Sequence, residues 1–270
     1  MTGSRKDPRT GAPGLISDDV DEHFTRAVAP LIRRLVLSRV SPDAITVAAF
    51  ALTLASATLI GTGRLLTGCL LLVVGGILDF ADGKVAVLTG RSSTAGAILD
   101  STLDRYSDAA VCLGLMVYFA TGGHGATALA AALALVGSAI TSYLMALGSS
   151  HGYVLRAGLL RRQDRVALLA VGLLLSPLHG SLIGWINPAA PGELGAGRIA
   201  GMPNLPLAVV VWVLAILTNV SALQRLAALL RAAHGEMPAP PVDSLRARQL
   251  RTLRDLMVEH DGEGEGSRGD

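Results

Sequence analysis

From Gly125 to Gly148 the chain carries no charged side chain. A helix needs roughly 20 apolar residues to cross the hydrocarbon core of a bilayer. Five further segments, near 43–62, 65–88, 94–120, 165–186 and 205–230, are long and apolar enough to do the same. Composition agrees. The chain is 51% hydrophobic and 16% charged, with a mean hydropathy of +0.50, whereas a soluble domain carries about 25% charged residues. The expected fold is all-α: a polytopic membrane protein with six transmembrane helices and an N-terminal interfacial amphipathic helix.

That first helix is read from Val20, Phe24, Ala27, Val28, Leu31 and Leu35, which recur at helical spacing while Arg26, Arg33 and Arg34 occupy other faces. Such a pattern suits a helix lying in the plane of the membrane interface. The expected organisation is a disordered segment at 1–16, the interfacial helix at 17–40, the six-helix transmembrane domain at 41–231, and a cytoplasmic tail at 232–270. Within the tail, "MPAPP" (237–241) breaks the last span from a short basic helix near 243–258. The two cysteines, Cys69 and Cys112, fall inside apolar stretches and read as small core residues. The first forty residues lack the pattern of a removable signal peptide. No internal repeat and no second soluble catalytic domain is read, and no nucleic-acid partner is expected.

Basic residues orient the bundle. They gather before the first span, between spans 2 and 3, between spans 4 and 5, and after the last span; only Arg64 and Arg198 fall on the other side. By the positive-inside bias, both termini and the polar 2–3 connection face the cytoplasm. Lys6 and Lys84 are the only lysines, and this arginine-, alanine-, glycine- and leucine-rich composition suggests a GC-rich bacterial genome; the expected location is the inner (cytoplasmic) membrane.

One stretch is costly for so apolar a chain. "LDFADGKVAVLTGRSSTAGAILDSTLDRYSD" (78–108) places Asp79, Asp82, Asp100, Asp104 and Asp108 at or beside spans 2 and 3. A carboxylate inside a membrane helix costs a few kcal/mol, so it is expected to pair, bind metal or line a wet cavity. Residues three or four apart share a helix face. Asp79 and Asp82 therefore point together, as do Asp100 and Asp104, and the two helices can converge on one acidic site. Close like charges resist ionisation together, and hard divalent cations with oxygen ligands resolve that conflict. Paired metals suit phosphoryl transfer, because they clamp the attacking and leaving oxygens. Gly83 and Gly96 would let a ligand or a neighbouring helix come close. His124, His151 and His179 show no ligand spacing and are given no metal role.

The spacing Asp79-x2-Asp82-Gly83-x2-Ala86-x9-Gly96-x3-Asp100-x3-Asp104 resembles the signature of the CDP-alcohol phosphotransferases, D-x2-D-G-x2-A-R-x8-G-x3-D-x3-D. Every fixed position matches except the arginine, which falls on Val87. "SPDAIT" (41–46) stands where the family often has Pro-Asn-x-x-Thr. The resemblance implies two divalent cations, Mg²⁺ or Mn²⁺, held by Asp79, Asp82 and Asp100. It implies that Asp104 both ligates metal and takes the proton from the incoming alcohol. It places the CDP group against Asp43, Thr46, Asp82, Gly83, Ala86 and Gly96, with Lys84 or Arg91 supplying the charge missing at Val87; the alternative for Lys84 and Arg91 is a topology signal alone. Attack on the phosphorus distal to cytidine would release CMP. A homodimer is also implied.

On that resemblance the donor is CDP-diacylglycerol and the product belongs to phospholipid biosynthesis. The acceptor is ordered as inositol phosphate or inositol, then glycerol phosphate, then another polar alcohol. Arg156, Arg161, Arg162 and Arg165 in "RAGLLRRQDR" (156–165) could cradle an acceptor phosphate, since arginine forks match phosphate oxygens; alternatively they set topology alone. "DRYSDA" (104–109) looks like the phosphoinositol-transferring branches, but "LMALGSS" (144–150) replaces their basic run after span 4. Asp108 is expected to give polar support beside the metal ligands, and Ser142 and Tyr143 to pair with neighbouring helices. A rival within the class uses CDP-inositol or another non-lipid CDP-alcohol. A rival outside it is a divalent-cation transporter, which would carry its carboxylates near the midplane.

Overall fold

A computed structural model of the chain describes residues 18–153, 160, 162–186 and 204–234, with side chains in these ranges from Arg26 to Ser176 and from Asn204 onward. The described residues form seven helices and no strand. They are α1 (Asp18–Leu37), α2 (Pro42–Gly61), α3 (Leu65–Leu88), α4 (Thr94–Thr121), α5 (Gly125–Ser150), α6 (Arg162–Ile186) and α7 (Leu205–Ala233). Helices α2 to α7 start and stop within a few residues of the six expected segments. The expected disordered N-terminus, the tail helix near 243–258, and Arg156, Arg161 and Arg198 lie outside the described residues.

Local chemistry sets the boundaries. Ser41 caps α2 by accepting a hydrogen bond from the Ala44 N–H at 3.3 Å, and Pro42 follows in the first turn, where its missing N–H is no loss. Ser93 caps α4 in the same way, accepting from the Gly96 N–H at 2.9 Å. Helices α2 and α3 both close with a glycine in the left-handed region, Gly63 at φ 83° and Gly90 at φ 67°. The next N–H, from Arg64 or Arg91, then reaches back to the carbonyl of Leu59 or Ala86 at 2.8 and 2.9 Å. Because α3 ends at Leu88, Arg91 lies beyond this turn and not one helical turn on from Val87.

Helix α2 packs on α3 and α4, α5 on α4 and α7, α6 on α3 and α7, and α1 on α3. Ile60, Phe119, Leu173 and Leu207 are fully enclosed. Small residues let the backbones approach, as in membrane bundles generally. A Cβ added to Gly114 of α4 would lie 2.4 Å from the Ala57 carbonyl oxygen of α2. The obstacle is backbone, so it cannot rotate aside. Gly114→Ala is therefore expected to destabilise the fold by about 1–3 kcal/mol, visible as a lower Tm in detergent; an unchanged Tm would show that α2 and α4 can separate freely.

Helices α2, α3, α5 and α7 are each long and apolar enough to cross a membrane. Leu66, Leu70, Leu113, Val117, Leu129, Val209 and Ile216 stand more than half exposed around the bundle, an arrangement suited to hydrocarbon and costly in water. Helix α4 has 28 residues, but Asp100, Asp104, Arg105 and Asp108 make its first half polar. Helix α6 has 25 residues, with side chains described only to Ser176. In α1, Val28 and Ile32 are buried against Ala81 and Val85 of α3, while Ala27 is exposed. The apolar face of α1 thus covers the polar half of α3.

Candidate metal and phosphate site

The sequence motif becomes a recess between α3 and α4. Asp79 lies nine residues before Leu88, and Asp104 lies ten after Thr94, so each helix continues for more than two turns beyond its carboxylate. The aspartates thus lie in the second half of α3 and the first half of α4, where the expected spans put them. Asp79, Asp100 and Asp104 are half-buried there.

Asp79, Asp100 and Asp104 each offer a carboxylate oxygen within 4.8 Å of the other two. Three hard oxygen donors at this spacing suit Mg²⁺ or Mn²⁺. Asp82 does not join this set. Its carboxylate, 4% exposed, accepts a hydrogen bond of 2.5 Å from Thr46 Oγ1 on α2, although it remains near enough to Asp79 and Asp100 for their charges to interact. The four-carboxylate cluster expected from spacing is thus three converging carboxylates with a fourth tied to α2.

Helix α2 contributes more to the opening. A Cβ on Gly96 would lie 3.0 Å from Asp43 Oδ1 and 3.1 Å from Ser93 Oγ. The start of α4 therefore sits directly against Asp43, and a larger residue at 96 would need the Asp43 and Ser93 side chains to shift by a few tenths of an ångström. Gly83 is the opposite case: nothing lies within 4 Å of where its Cβ would be. That face of α3 is open to a ligand. Lys84 stacks its ammonium 4.6 Å from the centre of the Phe80 ring, a cation–π contact, and Val87 is about one-third exposed.

The least anticipated feature is the role of α6. Arg162 Nη1 pairs with Asp79 Oδ2 and lies 2.8 Å from Asp104 Oδ1. Arg165, one turn further on, places Nη2 at 2.7 Å from Asp108 Oδ2, which also accepts a hydrogen bond from Ser138 Oγ on α5 at 2.8 Å. Sequence left Arg162 open between an acceptor-phosphate contact and a topology signal; here its guanidinium lies among the metal-site carboxylates. Asp108 is the link that sequence reasoning left vague. Both arginines and Asp108 also line a cavity of about 70 Å³ that runs inward to Cys112, Leu115 and Leu214. Tyr143 is 64% exposed and does not line this cavity.

Comparison with known proteins bears on the identity of this recess. Residues 39–191 match the family model described as CDP-alcohol phosphatidyltransferase. A phosphatidylinositol phosphate synthase from Mycobacteroides abscessus is 30% identical over 211 residues, covering 77% of this chain and 86% of that protein. An archaetidylinositol phosphate synthase from Methanothermobacter thermautotrophicus is 32% identical over 161 residues, covering 58% of this chain and 80% of that protein. The crystal structure of Mycobacterium tuberculosis phosphatidylinositol phosphate synthase with CDP-DAG bound superposes with a TM-score of 0.60 at 27% identity, over 76% of this chain and 94% of that one. Its complex with manganese and citrate gives 0.59 at 26% identity, over 75% and 88%. The matched region spans the carboxylate pairs of α3 and α4 and the arginines of α6. With that match and that geometry together, the chain is a member of the CDP-alcohol phosphatidyltransferase family.

Proposed function

We propose that this transferase moves a phosphatidyl group from CDP-diacylglycerol to inositol phosphate and releases CMP. The observation that carries the reading is the placement of Arg162 and Arg165 against the carboxylate recess. A phosphate held by these two guanidiniums would lie within one side-chain length of Asp104, so the alcohol it carries is delivered to the reacting end of the site. Relatives named for phosphatidylinositol phosphate synthesis, and a solved relative with CDP-DAG bound, support the same pair of substrates.

Each residue has a share in this reading. Asp79, Asp100 and Asp104, with Asp82 beside them, would hold the two divalent cations, whose positive charge would offset the negative charge of the donor diphosphate. Asp104 accepts the proton from the acceptor hydroxyl. Thr46 fixes the Asp82 carboxylate, and Asp43 with Gly96 narrows the wall where the nucleotide lies. Gly83 leaves room for the ribose and phosphates to approach α3. The cavity behind Asp108 offers space on the acceptor side. Six spans, α1 lying at the membrane interface, both termini and the recess on the cytoplasmic side, and a homodimer complete the proposal. The arginine distribution supports that orientation.

Lys84 is assigned the charge that the family arginine supplies at the position of Val87. Lys84→Ala should raise the KM for the CDP donor about fivefold, the scale of one partly exposed charge contact, while Val87→Arg leaves it nearly unchanged. Equal donor kinetics in wild type and Lys84→Ala would return Lys84 to a topological role.

The decisive assay offers purified protein, CDP-diacylglycerol and Mg²⁺ or Mn²⁺ to inositol phosphate, inositol and glycerol phosphate in parallel, following CMP release and product mass. Inositol phosphate is expected to be the best acceptor. A best acceptor without a phosphate overturns the assignment; in a parallel reaction with CDP-inositol in place of CDP-diacylglycerol, CMP release there alone would identify a non-lipid donor.

A further inference from the structure

Arg162 is held by two sets of carboxylates at once. Its Nη1 pairs with Asp79 and Asp104, which offer oxygens to a cation, and its Nε faces Asp108 Oδ1 at 3.8 Å. That Nε is buried and makes no hydrogen bond. A buried donor left unpaired is costly, and the gap is only about 1 Å longer than a hydrogen bond. A small withdrawal of the guanidinium from Asp79 and Asp104 would close it. Asp108 is well placed to receive that movement. Ser138 of α5 and Arg165 both hold its Oδ2, leaving Oδ1 turned to Arg162.

A guanidinium and a divalent cation cannot share the same carboxylate oxygens at full strength. While Arg162 lies on Asp79 and Asp104 it neutralises them and competes with metal. Drawn to Asp108, it would release both and turn its fork towards the cavity that the two arginines line. We propose that Asp108 is a positioning residue that draws Arg162 off the metal-binding carboxylates, so that cation binding and readiness for the acceptor are coupled. This rests on the proposed function for the identity of the acceptor, but its central claim concerns cation affinity alone.

The apparent affinity for a ligand falls with the fraction of protein in the competent state. Removing the charge of Asp108 should leave Arg162 on Asp79 and Asp104 for more of the time. The test is direct Mn²⁺ binding to the purified full-length protein in detergent, by electron paramagnetic resonance of free Mn²⁺, with no substrate present. Asp108→Asn is expected to bind Mn²⁺ about fivefold more weakly, the scale of one partly exposed ion pair. Arg162→Gln should bind it more tightly than wild type. The double variant should behave as Arg162→Gln does, because Asp108 has nothing left to draw away. Ser138→Ala, which keeps every charge, should shift affinity in the same direction as Asp108→Asn by a smaller factor, and it covers the case in which Asp108→Asn fails to fold.

Unchanged Mn²⁺ affinity in Asp108→Asn, or in Ser138→Ala where the former does not fold, overturns the proposal. So does a double variant in which the two effects simply add. These outcomes leave the transferase reading untouched, since wild-type CMP release is measured separately. Wild-type protein that binds no Mn²⁺ overturns the metal site itself, and the coupling with it.

Discussion

Asp100→Asn is expected to reduce transfer by about a hundredfold or more, about 2.7 kcal/mol or more of transition-state stabilisation on the scale of metal-ion catalysis. Asp100 is the cleanest of the carboxylates to test. Asp79 and Asp104 also bind Arg162, so replacing either alters the metal site and an ion pair together. Asp82 has a second partner in Thr46. Asp100 offers its oxygen to the same 4.8 Å cluster and shares no direct ion pair with Arg162. An amide oxygen remains in the variant, so shape is nearly kept and the lost quantity is charge. Mn²⁺ binding should weaken in parallel with activity, while Tm without metal should rise or hold, because one of several crowded negative charges has gone. Full activity in Asp100→Asn would remove the metal reading of the cluster. Lost activity with normal Mn²⁺ affinity would move Asp100 from holding metal to contacting substrate.

That the carboxylates meet at all was readable from the chain. Spacings of three and four on two consecutive apolar helices put Asp79 with Asp82 and Asp100 with Asp104, and helix periodicity is the most robust pattern a sequence carries. The helix limits were readable for a similar local reason: Ser41-Pro42 and Ser93 are starts, and Gly63 and Gly90 are stops.

Tertiary choices were not readable. Asp82 could face its fellow aspartates or Thr46, which is 36 residues away, and only the packing of α2 on α3 decides for Thr46. Arg162 and Asp79 are 83 residues apart, and no local spacing encodes their contact. The arginines of α6 had the look of topology signals because positive-inside bias and phosphate binding ask for the same residue in the same place. Both side chains are largely buried, Arg162 at 25% and Arg165 at 15% exposed, against Asp79, Asp104 and Asp108, whereas a charge that merely orients a loop stays in water; the choice for phosphate is left to acceptor kinetics. For Arg91 helix spacing gives no answer: α3 stops at Leu88, and the left-handed Gly90 redirects the chain before Arg91 is reached.

Arg165 gives the sharpest test of the acceptor, because it lies beside the metal cluster without touching it. Its Nη2 meets Asp108, and the side chain lines the cavity. If it holds the acceptor phosphate, Arg165→Ala should raise the acceptor KM by about tenfold to a hundredfold, the 1.5–3 kcal/mol of one charge-assisted hydrogen bond. The donor KM should change by a clearly smaller factor, since the nucleotide side of the recess is built from α2, α3 and the start of α4 and Arg165 reaches it only through Asp108. Arg165→Lys separates charge from shape. A lysine keeps the positive charge but loses the planar fork that grips two phosphate oxygens, so it should recover only part of the affinity. A purely structural role would give a different pattern: a lower Tm, with kcat and both KM values disturbed together, because Asp108 would have lost a partner. If Arg165→Ala keeps the wild-type acceptor KM while inositol phosphate remains the best substrate, the phosphate is held elsewhere, and the cavity behind Asp108 is not its route.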